Sequence, residues 1–206
     1  NNPNIPSIFR DIFKRAYLPY NDPNTLRLFL KEINDFHYSN SEKLGDGFEY
    51  LLSILGTQGD AGQFRTPRHI IDFITEVVNP LKGDRICDPA CGSGGFLIGA
   101  AEVLWKQGVD PSHSIQHQIV GFDINENAVE FAKSHVLLYL LKNGESIDSI
   151  SPQIFAMDTL LAKPATLWKT VGRKGGFDVV ATNPPYVKLQ NLPKEYRPKV
   201  LQAYAD

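Results

Sequence analysis

Arg85-Ile86-Cys87-Asp88-Pro89-Ala90-Cys91-Gly92-Ser93-Gly94-Gly95-Phe96 decides the fold. Arg85 to Cys87 reads as a short strand. Gly95 to Lys106 reads as a helix with Phe96, Leu97, Ala100, Ala101 and Leu104 on its inner face. The glycines between them let the backbone come close to a ligand, and the helix start offers free N–H groups. The spacing is not that of a dinucleotide site, because Leu97 stands where a third glycine is required. A pyrophosphate is therefore not specifically indicated. A smaller polar group, such as the amino-acid end of S-adenosylmethionine, fits as well, and Asp88 could take its ammonium.

Outward from this unit the pattern repeats. Gln118 to Phe122, Gln153 to Ala156 and Phe177 to Ala181 read as further strands, and Asn125 to Leu141 as a long helix. Strands alternating with helices give an α/β fold with a parallel, Rossmann-like sheet. On the N-terminal side, Thr66-Pro67 reads as a helix start, with Thr66 as the cap and Pro67 in the first turn, and the helix runs to about Val77. Before it the apolar spacing is helical throughout. One face carries Ile5, Ile8, Phe9, Ile12, Phe13, Ala16 and Tyr17; a second carries Leu26, Phe29, Leu30, Ile33 and Phe36; a third carries Leu44, Phe48, Leu51, Leu52 and Leu55. Pro19, Asn21, Asp22 and Pro23 read as the break between the first two. The expected organisation is a helical subdomain over residues 1–58 and a ligand-binding domain over 59–206. Only about twenty residues follow the fourth strand, so the sheet is expected to be incomplete, cut short after its last motif.

The 206 residues are 42% hydrophobic, enough for one sizeable core, and carry a formal charge of −2. That balance argues against a stand-alone DNA-binding module, which would be basic. No apolar run spans a membrane and no signal peptide is visible, so a cytoplasmic protein is expected. Two cysteines, Cys87 and Cys91, do not make a disulfide framework, and no His or Cys cluster supplies a metal site.

Acids recur at the strand ends. Asp123 closes the second strand and can accept hydrogen bonds from ribose hydroxyls. Asp158 follows the third, where an adenine amino group could be read. Each alone is as well explained as a helix cap. Three in succession after strands, beside the glycine loop, favour a nucleoside ligand.

Asn183-Pro184-Pro185-Tyr186 follows the fourth strand. Pro-Pro fixes the backbone and removes two N–H donors, so the flanking groups are aimed rigidly. An aromatic exocyclic amine is a poor nucleophile, because its lone pair is delocalised into the ring. Two acceptors on its N–H bonds, the Asn183 side-chain oxygen and the Pro184 carbonyl, push the nitrogen towards a tetrahedral shape, and Tyr186 can stack on the ring. Catalysis of that kind is mainly positioning and electrostatics. A base taken from a duplex costs a few kcal/mol to flip out. Stacking returns roughly 1–3 kcal/mol of that.

Together these segments resemble the N6-adenine DNA methyltransferases of bacterial restriction–modification systems, in the order where the cofactor motif precedes the catalytic one. Gly62 to Arg68, Asp88 to Phe96, Phe122 to Asn125, Met157 to Leu160 and Asn183 to Tyr186 resemble five family motifs over about residues 42–190. Arg65 stands where the family has tyrosine. The resemblance implies S-adenosyl-L-methionine as cofactor and Asn183, Pro184, Pro185 and Tyr186 as the catalytic group. It implies cofactor contacts from Gln63, Phe64, Thr66, Pro67, Arg68, Asp88, Pro89, Ala90, Gly92, Ser93, Gly94, Gly95, Phe96, Asp123, Ile124, Asp158 and Thr159. Double-stranded DNA is the implied partner, with no metal. The segment Leu44 to Leu51 resembles type I modification subunits, which use separate specificity and restriction subunits, whereas Tyr186-Val187 resembles self-contained enzymes. Protein-glutamine and ribosomal-RNA guanine-N2 methyltransferases share Asn-Pro-Pro-Tyr but lack the Phe-x-Thr-Pro segment. A non-catalytic fragment that binds S-adenosylmethionine is the remaining alternative.

Other residues carry blander readings. His69 reads as a helix-face histidine, and His113 and His117 as flanking a loop and a strand. Cys91 reads as a small packed residue rather than a nucleophile, since no base partners it. Lys188, Lys194, Arg197 and Lys199 make a basic segment just after the Asn183 loop; a solvated face is the default reading, and contact with a DNA backbone is the alternative that its position offers.

Overall fold

The computed structural model describes residues 22–35, 66–172 and 175–204. Residues 22–35 belong to one compact unit and the remaining described residues to another. In the first, Pro23 opens a helix, α1 (Pro23–Asp35), instead of breaking the chain. The Asp22 carboxylate accepts from Thr25 N and Thr25 Oγ1, both at 2.8 Å, and these bonds hold its pKa below the usual value. The helices expected over residues 5–17 and 44–55 lie outside the described residues.

The second unit is an α/β layer structure. Its elements in order are α2 (Arg68–Val78), β1 (Ile86–Asp88), α3 (Gly95–Lys106), α4 (Pro111–His117) and β2 (Ile119–Asp123). Then come α5 (Glu126–Lys142), β3 (Gln153–Ala156), α6 (Pro164–Val171), β4 (Val179–Val180) and α7 (Arg197–Ala203). The strands form one parallel sheet in the order β3-β2-β1-β4. Cys87 lies opposite Val120 on one side and Val180 on the other, and Gly121 lies opposite Ile154. The chain leaves β1 for one side of the sheet and later returns to its other side, so the order reverses at β1. In open α/β sheets ligands bind outside the carboxyl ends of the strands at such a reversal.

Every residue of β2 is buried, as a strand covered on both faces requires. Helix α3 supplies much of the cover through Phe96, Leu97, Ile98, Val103 and Leu104. Each such side chain contributes roughly 1.5–3 kcal/mol on burial. Gly95 and Gly99 let α2 lie close against α3. A Cβ on either would come within 2.7 Å of the Ile71 side chain. Gly121 makes a similar concession in β2, where a Cβ would meet Leu97 Cδ1 at 2.8 Å and Cys91 Sγ at 3.1 Å.

Several expectations are corrected. Pro67, not Thr66, is the cap residue of α2, and no side chain caps that helix; the Thr66 hydroxyl is engaged elsewhere. His113 and His117 lie on a helix, α4, with their rings 4.8 Å apart. The signal was Asp110-Pro111: Asp110 Oδ1 accepts from His113 N at 2.7 Å and Pro111 occupies the first turn. Strand β4 is two residues long instead of five. The Asp178 carboxylate takes the Arg85 N–H at 2.8 Å, and the chain is already turning into the Asn183 loop at Ala181. Val180 is 58% exposed, which marks β4 as the outer strand.

Candidate functional site

Asp88, Asp123, Asp158 and Asn183 all stand at or just beyond the carboxyl ends of four adjacent parallel strands. Short local sequence rules put them there. Strands β1, β2 and β3 are each followed by a polar or glycine-rich turn whose acid binds the next backbone N–H groups. Asp88 Oδ1 accepts from Ala90 N at 3.0 Å, Asp123 Oδ1 from Asn125 N at 2.9 Å, and Asp158 Oδ1 from Leu160 N at 3.1 Å. None of the three caps a helix. The caps are Gly94 for α3, Asn125 for α5 and Lys163 for α6.

The glycine loop is tied to the end of β2, to the turn after β3 and to α5. Cys91 N donates to Phe122 O at 2.7 Å and Gly92 N to Asp123 Oδ2 at 2.9 Å. Thr159 Oγ1 donates to Pro89 O at 2.9 Å, and His135 Nδ1 lies 2.9 Å from Ser93 O. Gly94 adopts φ +81° at the cap of α3, a left-handed conformation that glycine reaches without strain. At Gly92 a Cβ would meet nothing within 4 Å, so the loop faces open space there.

Asp88 is only 2% exposed. Burial is the largest influence on it and pushes its carboxyl up to about 6; neighbouring Asp123 acts in the same direction. The Thr182 hydroxyl and the Ala90 N–H favour the charged form but do not prevail. Thr182 Oγ1 is itself buried with no well-formed hydrogen bond. Among the described residues no cation figures in the influences on Asp88. Burial also raises both thiols, Cys87 to about 12 and Cys91 further, so neither is a nucleophile near neutrality.

Asp123 is buried, yet its two backbone donors fill only two of about four lone-pair sites. Asp158 is more crowded. Its Oδ2 also accepts from Tyr196 Oη at 2.7 Å. Desolvation, then the Asp158 bond, raises the Tyr196 phenol to about 12. Ile124 is 67% exposed beside Asp123.

The Asn183 loop differs in character. Pro184 and Pro185 are exposed, and Tyr186 is 90% exposed. Asn183 is half-buried, and its Nδ2 donates to Thr66 Oγ1 at 3.0 Å.

The expected residues are thus mostly brought to one edge, with exceptions. The Arg68 guanidinium pairs with Asp72 at 2.8 Å and with Glu102 on α3, along the helix pair instead of at the glycine loop. Phe96 is buried in the core, and Gly95 is occupied in packing against Ile71. Gln63 and Phe64 lie outside the described residues. Arg197 is committed to the backbone: its Nε donates to Leu192 O at 2.8 Å and its Nη2 to Gln190 O. Lys188, Lys194 and Lys199 remain exposed. Tyr196, Thr182 and His135 were missed by sequence reasoning. Their positions follow from long-range packing, and no local spacing announces them.

The comparisons with known proteins agree with this geometry. The profile of the N-6 DNA Methylase family matches residues 39–200. The chain is 28% identical over 185 residues to the type I restriction enzyme EcoEI methylase subunit of Escherichia coli, covering 87% of this chain and 35% of that protein. It is 33% identical over 165 residues to the type II methyltransferase M.VspI of Vibrio sp. (strain 343), covering 80% of this chain and 34% of that protein. Among solved structures, it resembles a modification subunit of a putative type I restriction enzyme from Vibrio vulnificus YJ016. The TM-score is 0.57 at 27% identity, over 92% of this chain and 40% of that one. The chain therefore spans about a third of the length of the curated relatives it matches. With four acid or amide side chains aligned along one edge of its sheet and a profile match over most of its length, the chain belongs to the N-6 DNA methylase family.

Proposed function

We propose that the protein transfers a methyl group from S-adenosyl-L-methionine to the N6 amine of an adenine flipped out of double-stranded DNA, within a cytoplasmic restriction–modification system. The observation that carries this reading is the alignment of Asp88, Asp123, Asp158 and Asn183 on the carboxyl edge of adjacent parallel strands. The residues present fit the cofactor. Asp88 is a buried carboxylate with no cation beside it among the described residues, next to the buried Thr182 hydroxyl, and it suits an ammonium. Gly92 faces open space. Asp123 keeps lone pairs for ribose hydroxyls, and Asp158 keeps fewer for an adenine amine. The glycine loop from Pro89 to Gly94 and the half-buried Thr159 complete the wall.

When bound, S-adenosylmethionine supplies an electrophilic methyl group. The chain's own work is to hold the acceptor. Asn183 Oδ1 and the Pro184 carbonyl accept the two N–H bonds of the amine and draw its lone pair out of the ring. Pro185 stiffens the loop, and Tyr186, already exposed, stacks on the base. The methylated nitrogen then loses one proton to water. No strong base is required, since a cationic aryl amine is acidic. Exposed Lys188, Lys194 and Lys199 lie just beyond the loop, where a DNA backbone would pass. The names of the relatives include both type I subunits and a type II enzyme, so separate specificity and restriction subunits are proposed as partners of the type I form.

The test uses the full-length protein, labelled S-adenosylmethionine and bacterial DNA, with protein and RNA as competing acceptors. Label at adenine N6 is expected. Label on protein or RNA with none on DNA refutes the reading.

A further inference from the structure

We propose that Thr66 is a positioning residue for Asn183, holding the amide in the attitude that turns its oxygen to the acceptor amine. This rests on the role given to Asn183 above. The two residues are 117 positions apart, yet Asn183 Nδ2 donates to Thr66 Oγ1 at 3.0 Å. The sequence gives the Thr66 hydroxyl two other duties, and the structure favours neither. It does not cap α2, whose cap residue is Pro67 and which has no side-chain cap bond. As a cofactor contact it would have to share an oxygen already accepting from Asn183.

The need for an anchor follows from where Asn183 sits. It leaves the outer strand β4, where Val180 is 58% exposed, and it enters two exposed prolines. A primary amide has a donor end and an acceptor end, and rotation by half a turn exchanges them. With the nitrogen facing the substrate, donor would oppose donor. Bonding Nδ2 to Thr66 leaves Oδ1 as the end free for the amine. Because a hydroxyl can also donate, the substrate completes the choice: the reversed amide would still bond Thr66 but would turn an N–H donor towards the amine's own N–H and leave that bond unmet.

Thr66 is well placed to serve as a fixed point. It stands next to Pro67, the cap residue of α2, and α2 is locked to α3 by Ile71 against Gly95 and Gly99. Helix α3 in turn begins at the glycine loop. The catalytic amide is thereby referenced to the cofactor side of the site, through rigid elements instead of through its own loop.

The experiment compares Thr66→Val, Thr66→Ser and wild type in the full-length protein, with its specificity subunit where it has one. Valine keeps the size and removes the acceptor; a thermal melt confirms folding. Single-turnover methylation at saturating cofactor and DNA is expected to fall about 5- to 10-fold in Thr66→Val and to recover in Thr66→Ser, while the Kd for S-adenosylmethionine stays within about twofold. In parallel, 15N-asparagine labelling follows the Asn183 side-chain amide, assigned by its loss in Asn183→Ala. Its resonance should shift and exchange faster in Thr66→Val and return in Thr66→Ser. A weakened Kd with an unchanged saturated rate makes Thr66 a cofactor residue and overturns the proposal. An unmoved amide resonance overturns it as well. If wild type places no label on adenine, the methyltransferase reading fails on its own. The amide resonance then decides the anchor: perturbed in valine and restored in serine supports it, and unchanged sinks it.

Discussion

The glycine loop after β1 is braced from several directions, whereas among the described residues the Asn183 loop after β4 hangs on one long-range side-chain bond. Phe122 O, Asp123 Oδ2, Thr159 Oγ1 and His135 Nδ1 all hold the first, and its acid Asp88 is buried. The second has Asn183 on Thr66, two prolines without N–H groups, and an exposed Tyr186. The difference has a consequence for mutation. A change in the braced loop disturbs the fold and the ligand together, while a change in the exposed loop reaches the chemistry and leaves the fold intact.

The sharpest way to break this contrast is Asn183→Ala. Loss of one preorganised polar contact to the reacting group is expected to lower kcat roughly 100- to 1000-fold. The melting temperature should move by less than about 2 °C and cofactor affinity should hold, because Asn183 is a half-buried polar residue in an otherwise exposed loop. Calorimetry and single-turnover assays read both. Joint loss of activity and cofactor binding would show that the two loops are one unit.

Asp88 tests the braced side through pH. Its pKa stands near 6 in the folded chain against 3.8 as the ordinary value. Between those values the folded state keeps a proton that the unfolded chain has released. The stabilisation is fully present below about pH 4 and is lost as pH rises through about 6, a change on the order of 3 kcal/mol. Asp88→Asn should flatten that part of a denaturant-derived stability profile. If Asp88 receives an ammonium, affinity for S-adenosylmethionine should climb roughly tenfold per pH unit up to about pH 6 and then level off. A flat affinity profile would remove Asp88 from the ligand.

Gly94→Ala probes the same side by geometry alone. The residue sits at φ +81°, and its new methyl would come within 3.3 Å of Ala132 Cβ. The left-handed conformation costs an alanine roughly 1–2 kcal/mol. A fall in melting temperature of about 2–8 °C is expected. An unchanged melt would mean that the loop re-forms around the methyl, and the bracing would be weaker than its hydrogen bonds suggest.

Much of this was legible in the sequence, for a physical reason. The α/β fold follows from strand and helix periods that each segment carries locally, and α3 begins and ends where its pattern does. The strand-end acids were legible because an acid after a strand binds the next N–H groups within two or three residues. What was not legible needed distant partners. Thr66 reads as a cap because Thr-Pro is a local rule, and nothing near it announces Asn183. Arg68 reads as a ligand contact, but Asp72 and Glu102 claim its charge. Arg197 reads as a DNA contact, but two carbonyls of its own loop hold it. The short β4 was over-extended because its sequence is apolar to Ala181, while Asp178 and the turn to Asn183 cut the ladder.

Tyr196 is a side chain that links the two regions, and it gives the smallest expected effect. It follows the Asn183 loop, precedes α7, and donates to Asp158 Oδ2 at 2.7 Å on the braced side. Tyr204, at the end of α7, donates to Leu160 O at 2.8 Å on the same turn. Tyr196→Phe removes a half-exposed bond to a carboxylate, worth about 1 kcal/mol net. The remaining Tyr204 contact should keep α7 docked, so hydrogen exchange in α7 should quicken about fivefold and no more, while that of β1 and the glycine loop stays unchanged. If exchange quickens in the glycine loop too, Tyr196 is a brace of the cofactor side, and the boundary between the two regions lies beyond α7 rather than at the Asn183 loop.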